Sequence, residues 1–488
     1  MVNSATKKLE KEFIEIVDFP KDDISWSSVS LSEVLERDYR LEASTFNIDR
    51  AHSIQLLENS KYDLVLLGTK EIGFKDCFYG PRAKRNYLTN IDSTSIGFLG
   101  SSEMLDMYPS PVKFVSHDNS MVDSLSLTEG TILISRSGTI GNVTFVGQTL
   151  SKFLVSEHAI RLVMNEFPGF VYTYLKTDVA QNLLHAEKFG SVILEIEPDA
   201  LKNMLIPNAP ALIKKKIHDL IMDSYANRDE SNRLIDEATK IMIEELELPS
   251  IDDLKKEAFS YSKEINSFAT KLSALNGRLE SNYHLPIVKV LENHLRDKAD
   301  LVKLDDKDIT ENIILAGVFK RNYVQKGHGY PFLGGKDITQ LSPETDKYLS
   351  KITHKNRYEK ELRVKENWIL VTDRGTIGKV VIVPKHMENM AVSQNVLKIV
   401  PKIYPGYIYC FLNSDYGQIL IKRQSYGSVV NMIDDSSLRD VKIPIIKDRE
   451  IVKKIDCLVL EANELRYQAY KREQEAIEMM NREVLGLQ

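Results

Sequence analysis

The chain carries one domain twice, and this constrains its fold more than any other feature. Residues 129–141 read Glu-Gly-Thr-Ile-Leu-Ile-Ser-Arg-Ser-Gly-Thr-Ile-Gly, and residues 366–378 read Glu-Asn-Trp-Ile-Leu-Val-Thr-Asp-Arg-Gly-Thr-Ile-Gly, an offset of 237. Without a gap, the same offset pairs Ser156 with Ser393, Pro168-Gly169 with Pro405-Gly406, Tyr172 with Tyr409, and Leu175 with Leu412. It continues through Asp178 and Asp415, Gln181 and Gln418, Gly190-Ser191 and Gly427-Ser428, Leu201 and Leu438, and Ile206-Pro207 and Ile443-Pro444. Chance supplies single matches, not an ungapped ladder of this length. It is a tandem duplication.

Upstream the register drifts by a few residues, as surface loops allow. Arg40-Leu41-Glu42 matches Arg278-Leu279-Glu280, Arg85-Asn86-Tyr87 matches Arg321-Asn322-Tyr323, and Phe98-Leu99-Gly100 matches Phe332-Leu333-Gly334. The segments between these anchors differ in length and composition. The shared part is framework, and the divergent part is where two copies would recognise different things.

Each repeat reads as a mixed α+β unit. Residues 131–134 and 368–371 are short apolar strands running into a Gly-Thr-Ile-Gly turn, with second strands at 143–146 and 380–383. Glycine supplies backbone angles that a side chain forbids. After each Pro-Gly, 170–184 and 407–421 read as helices, with proline in the first turn. Residues 192–196 and 429–433 read as strands closing each domain.

After Pro207 and Pro444 the period changes to that of a helical seam. In the first rod the seam runs through Ile213, Ile217, Leu220, Leu234, Ala238 and Ile241, interrupted by Ser224, Asn227 and Ser231. In the second it runs through Ile451, Ile455, Leu458, Ala462, Leu465 and Ala469. A further helix is expected over 251–275. The spacing predicts an antiparallel coiled coil of equivalent rods, with the two domains at opposite ends and approximate two-fold symmetry. Ordinary linker helices are the plainer alternative. The expected organisation is an amino-terminal amphipathic helix (1–27), a first domain (28–210), a helical spacer (211–275), a second domain (276–446) and a long carboxy-terminal helix (447–488).

At 488 residues and 43% hydrophobic, the chain can fill two cores of ordinary size. No run approaches eighteen apolar residues, so no membrane span is expected, and the first residues do not read as a secretory signal. Cys77, Cys410 and Cys457 are too scattered for a metal cluster or disulfide framework and suit a reducing cytoplasm. A net charge of -6 argues weakly against nucleic acid, but the distribution is uneven. Residues 319–385 hold 14 Lys+Arg against 7 Asp+Glu, whereas 214–257 hold 8 against 12. A basic globular region alternates with an acidic rod, and two like domains on a fixed spacer suit a ligand with two half-sites on a helical lattice.

The paired Gly-Thr-Ile-Gly turns resemble the specificity subunit, HsdS, of type I restriction–modification systems. Each turn is preceded by an apolar strand and followed by Gly-Ser, Ile-Pro and a long helix. The segment Arg278-Leu279-Glu280-Ser281-Asn282-Tyr283 resembles that family's domain opening. The similarity runs from about Val29 to Met480. Where family members commonly carry Glu-Gln at the start of the long helix, this chain has Leu212-Ile213-Lys214 and Arg449-Glu450-Ile451. The resemblance implies a cytoplasmic bacterial or archaeal protein with two target-recognition domains, each reading half of a bipartite site in double-stranded DNA. It implies two methyltransferase subunits bound to the helices and a restriction/translocase subunit joining them. S-adenosylmethionine, and for restriction ATP and Mg2+, would belong to those partners, with no cofactor in this chain. A targeting subunit of a related anti-phage defence complex, a helical scaffold without a DNA role, and a nuclease acting alone are the alternatives.

For such a reader, phosphate contacts supply affinity and groove contacts supply discrimination. The first-repeat candidates are Arg82, Lys84 and Arg85, flanked by Tyr79 and Tyr87. Those of the second are Lys320, Arg321 and Lys326, with Lys351, Lys355, Arg357, Lys360 and Arg363. Arg136 and Arg374 flank the turns. They either contact DNA or hold the turn by a salt bridge, and they are not at equivalent positions. No Asn-Pro-Pro-Tyr or Asp-Pro-Pro-Tyr motif, glycine-rich cofactor loop, His-Glu-x-x-His or Cys-x-x-Cys appears, so no catalytic or metal-binding residue is expected.

Overall fold

The computed structural model describes residues 29–487 except 37–38, 40–42, 83–84, 89–90, 92–93, 191–192, 260–266, 276, 344 and 428–430. The expected amino-terminal helix, Arg40-Leu41-Glu42 and Lys84 lie outside the described residues.

The duplication is carried into three dimensions strand by strand. The first repeat has a central antiparallel sheet in the order Phe74–Tyr79, Ala159–Met164, Ile132–Ser135, Val143–Phe145. The second repeats it with Thr310–Ile314, Val396–Pro401, Ile369–Thr372 and Val380–Ile382. A side sheet follows in each. In the first it is Lys113–Ser116, Ser95–Leu99 and Leu154–Val155, the last pair parallel. In the second, Tyr348–Ser350, Gly329–Leu333 and Ala391–Val392 match these, again with the last pair parallel, and Tyr323–Val324 adds an edge. A short ladder joins each domain's start to its end: Leu64–Leu66 with Leu205–Pro207, and Ala299–Lys303 with Lys442–Ile446.

The repeated residues have shared physical jobs. Gly138 and Gly375 open the turns at φ 79° and 76°, where a side chain would be strained. The hydroxyls of Ser135 and Thr372 donate to the carbonyls of Thr139 and Thr376. They accept from the Asn142 and Lys379 amides at 3.0 and 3.1 Å. Gln181 donates to the carbonyls of Gly141 (2.9 Å) and Leu175 (2.6 Å), and Gln418 does the same to Gly378 (2.7 Å) and Leu412 (2.9 Å). One amide thus ties each turn to the helix behind it. A Cβ on Gly169 or Gly406 would lie 2.9 Å from His218 backbone or 2.6 Å from Asp456 backbone, so glycine lets each domain press against its rod.

Three expectations need correction. Residues 170–184 and 407–421 are not single helices. Thr177 and Ser414 cap new helices by accepting from the Ala180 and Gly417 amides, giving Pro168–Leu175 with Asp178–Ala186, and Pro405–Asn413 with Asp415–Arg423. Among the described residues, the expected closing strands are isolated bridges, from Glu195 to Ser137 and Phe189 and from Met432 to Arg374 and Tyr426. Over 251–275 the helix ends at Ala258, and among the described residues only the short turn Leu272–Ala274 follows. The domains also touch each other beside the rods, which the sequence does not foretell.

The rods are Ala211–Glu245 and Arg449–Met479, about 52 and 46 Å long at roughly 1.5 Å per residue. Buried positions in the second alternate by threes and fours: Val452, Ile455, Val459, Ala462, Arg466, Ala469, Glu473, Ala476. The pairing is antiparallel. Ala476 and Met480 pack with Ile217 and Ile221 in the first domain's core, while Ala238 and Met242 pack with Ile455 and Val459 in the second's. Each rod therefore leaves its own domain and ends inside the other. No helix among the described residues is long and apolar enough to cross a membrane.

Within the seam, near the end of the second rod, Glu473, 1% exposed, joins four elements. It accepts from Tyr172 of the first domain, Arg228 of the first rod (2.6 Å) and Ser342 of the second domain (2.6 Å). Burial alone would push its carboxyl up, but the charges of Arg228 and Lys176 and the Ser342 and Tyr172 hydroxyls hold it down at about 2. Its stabilising contribution is therefore complete above the ordinary carboxylate value and lost as pH falls from there towards 2. Glu473→Gln should cost about 3 kcal/mol at pH 7, because Arg228 is left mostly buried without its counter-charge. It should also flatten the acid limb of a urea-unfolding series, and an unchanged midpoint and pH profile would contradict this assignment.

Candidate nucleic-acid interface

The side sheets and the loops feeding them differ most between the copies, yet both rest on one common cluster. Arg85 lies over the Phe98 ring at 5.1 Å with Tyr87 edge-on to it at 5.8 Å. Arg321 lies over Phe332 at 5.4 Å with Tyr323 at 6.1 Å. The matching Arg-Asn-Tyr segments thus build the same arginine–aromatic platform twice. The partners of the arginines differ. Arg85 bonds Glu157 at 2.5 Å, whereas Arg321 bonds the equivalent Gln394, a neutral amide, at 2.8 Å. Burial pushes the Glu157 carboxyl up, but the bond from Arg85 outweighs it and leaves the group below the usual carboxylate range.

The other first-repeat candidates also face acids. Arg82 is exposed, 3.7 Å from Glu195. Arg136, 4% exposed, stacks on Tyr79 at 4.3 Å and is gripped by Glu195 (2.7 Å) and Glu197 (2.6 Å). It clamps the loop before Pro198 to the turn, the salt-bridge alternative for that residue. The second repeat is different. Lys320, Lys326, Lys351, Lys355 and Lys360 are all exposed. Lys351 donates to the Gly327 carbonyl at 3.2 Å and lies 6.0 Å from the Tyr330 ring, so it is aimed rather than free-swinging. Arg357 is half-buried, bonded to the Gly317 carbonyl (3.1 Å) and Glu361 (2.8 Å). Arg363 is half-buried, and its Nε has no partner. A polyanion would meet mostly neutralised arginines on one domain and a field of exposed lysines on the other.

Arg374 pairs with Asp373 at 2.9 Å and opens on a cavity of about 450 Å³ between the domains. Both Gly-Thr-Ile-Gly turns reach this cavity through Thr139 and Thr376, beside Asn142, Lys379 and Arg228. The Arg278 segment serves the framework. Arg278 and Asn282 donate to the Ser425 carbonyl at 3.1 and 2.8 Å, fixing the loop that leads to Gly427.

Sequence reasoning missed two features. Arg161 and Lys398 are equivalent buried cations in the central sheets. Arg161 donates to the carbonyls of Leu125, Val155 and Ala159, stapling the side sheet to the central one, and burial lowers it to about 10. Burial lowers Lys398 to about 8. A charged residue inside an otherwise apolar strand was the available signal. The second miss is the contact between domains through Asp106, Lys379 and Thr339, because Asp106 and Thr339 fall in divergent segments and Lys379 has an uncharged counterpart, Asn142.

A family model described as "Type I restriction modification DNA specificity domain" matches residues 119–239 and 307–471, more than half of the chain. Among solved structures, the chain is similar to the S subunit of a type I restriction–modification system from M. genitalium. That likeness has 15% identity over 86% of this chain and 93% of that one, with a TM-score of 0.31. It is also similar to the HsdS subunit from Thermoanaerobacter tengcongensis, at 15% identity over 87% and 97%, TM-score 0.27. A third structure, from work on complex assembly and conformational transition of the type I R-M system, shares 16% identity over 86% and 97%, TM-score 0.26. No curated protein matches.

Lys320→Ala and Lys351→Ala should each weaken duplex binding at all sequences alike. Each should lower the slope of log affinity against log salt by about 1. Arg136→Ala should instead lower the unfolding midpoint and leave the salt slope unchanged. Titrations at several salt concentrations separate these outcomes, and a salt slope unmoved by either lysine change would remove that surface from the interface.

Proposed function

The chain belongs to the type I restriction–modification DNA specificity family, and from that premise we propose that it reads a bipartite site in double-stranded DNA, one half per repeat. Its role is specificity, not catalysis. Methyl transfer with S-adenosylmethionine, and cleavage with ATP and Mg2+, belong to partner subunits in a cytoplasmic complex. One observation carries this reading. Two domains of the same strand order are mounted on one antiparallel rod pair, so a single rigid body presents two equivalent readers. The divergent side-sheet loops supply the difference between the half-sites. The two-fold arrangement of the rods also supports two methyltransferase subunits, one on each equivalent face, with a restriction/translocase subunit joining them.

The discriminating experiment is methylation mapping of cells carrying the complex, with identification of the co-purified proteins. The expected result is one motif of two short halves separated by a nonspecific gap of constant length, and a methyltransferase at two copies per chain. Replacing residues 276–446 with the equivalent domain of a homologue should change one half only. A single contiguous motif, or loss of both halves in the exchanged chain, would contradict the reading. A different co-purified effector would instead point to another defence assembly that uses the same targeting module.

A further inference from the structure

We propose that the direct contact between the two domains, centred on Asp106 and Lys379, locks them against tilt, so that the protein rejects half-sites whose gap differs by one base pair from the one the rods set. The inference rests on the bipartite reading and adds a residue-level determinant to it.

The contact is built rather than incidental. The side chain of Asp106, 7% exposed, accepts from Lys379 Nζ at 2.6 Å and Thr339 Oγ1 at 2.5 Å. The next amide, Met107, donates to the Thr339 carbonyl at 2.7 Å, and Asp106 forms an antiparallel bridge with Gln340. Met107 packs against the second domain's core, and the Tyr108 hydroxyl donates to Asp236 on the first rod at 2.5 Å. On the far side, Ser342 donates to Glu473 on the second rod. Each domain thus reaches the other and a rod through one short segment.

The contact also lies on the molecule's own symmetry axis. Gly100 and Gly334 are equivalent, and each amide donates to the acid three residues on, Glu103 at 2.7 Å and Asp337 at 2.8 Å. The same step makes Asp106 the counterpart of Gln340, the residue it bridges. The repeat offset makes Lys379 the counterpart of Asn142. The charge pair on one side of the axis therefore has an amide pair, Gln340 and Asn142, on the other, both lining the cavity.

Geometry says what such a contact does. The helices Pro168–Leu175 and Pro405–Asn413 lie against the rods and set where each domain sits. A body held along one line still rocks about it, and a second attachment away from that line removes the rocking. One added base pair moves a half-site by about 3.4 Å and turns it by roughly 35°. Only readers locked against tilt reject such a step.

The test uses the assembled complex and a panel of duplexes with the mapped gap, one base pair fewer and one more. Wild type should prefer the mapped gap by about a hundredfold, the order expected when one half-site is misread. Asp106→Asn and Lys379→Met should shrink that preference at least about tenfold, with less than about threefold loss on the mapped gap. The exchanged pair D106K with K379D should restore it. Folded variants that keep full gap discrimination would overturn the proposal, as would a loss equal at all three gaps. A wild-type complex indifferent to gap length would bring down the bipartite reading, and this inference with it.

Discussion

The antiparallel seam between the two rods is the constraint on which everything else hangs. Each rod begins at its own domain and finishes in the core of the other, so neither hydrophobic core is complete without chain from across the molecule. Ile217, Ile221 and Tyr225 share the first core with Ala476, Met480 and Val484. Leu234, Ala238 and Met242 share the second with Ile455 and Val459. Folding of either domain thereby fixes the distance to its twin. Small residues at the seam, among them Ser224, Ala462 and Ala469, bring the helices close enough for the Ser224 hydroxyl to reach the Ala469 carbonyl at 2.8 Å.

Stability alone would favour an apolar seam, because buried ion pairs repay their desolvation poorly. The chain instead places Arg228 and Arg466 at its middle and Glu473 within reach of Arg228. Heptad seams slide by a turn at small cost when every layer is alike, and a charge layer has one register in which it is paired. Glu473 meets Arg228, Tyr172 and Ser342 together in only that register. For a protein whose output is a distance, a fixed register is worth the cost.

Much of this was legible in the sequence because the duplication doubles each signal. The turns, the Pro-Gly close approach and the rods repeat at one offset, and periodicity carries over directly into strand and helix. What stayed hidden was non-local. Arg136 reads as either a DNA contact or a salt bridge holding the turn, and its partners Glu195 and Glu197, some sixty residues on, are out of reach of any local pattern. The break at Thr177 and Ser414 was visible as two capping residues but was outweighed by continuous hydrophobicity. The side sheets and the Asp106 contact lie where the copies diverge, so the repeat could not flag them. Glu473 did leave a clue, a charge in the heptad phase of Val452 and Val459 on the second rod.

One chain lays two like readers on separate stretches of the same duplex. Hydroxyl-radical footprinting of the assembled complex on a duplex carrying its site tests this most directly. It should show two protected tracts with an unprotected interval between them, shrinking to one tract when either half-site is scrambled. A single continuous tract, or protection that vanishes from both halves whichever is scrambled, would contradict it.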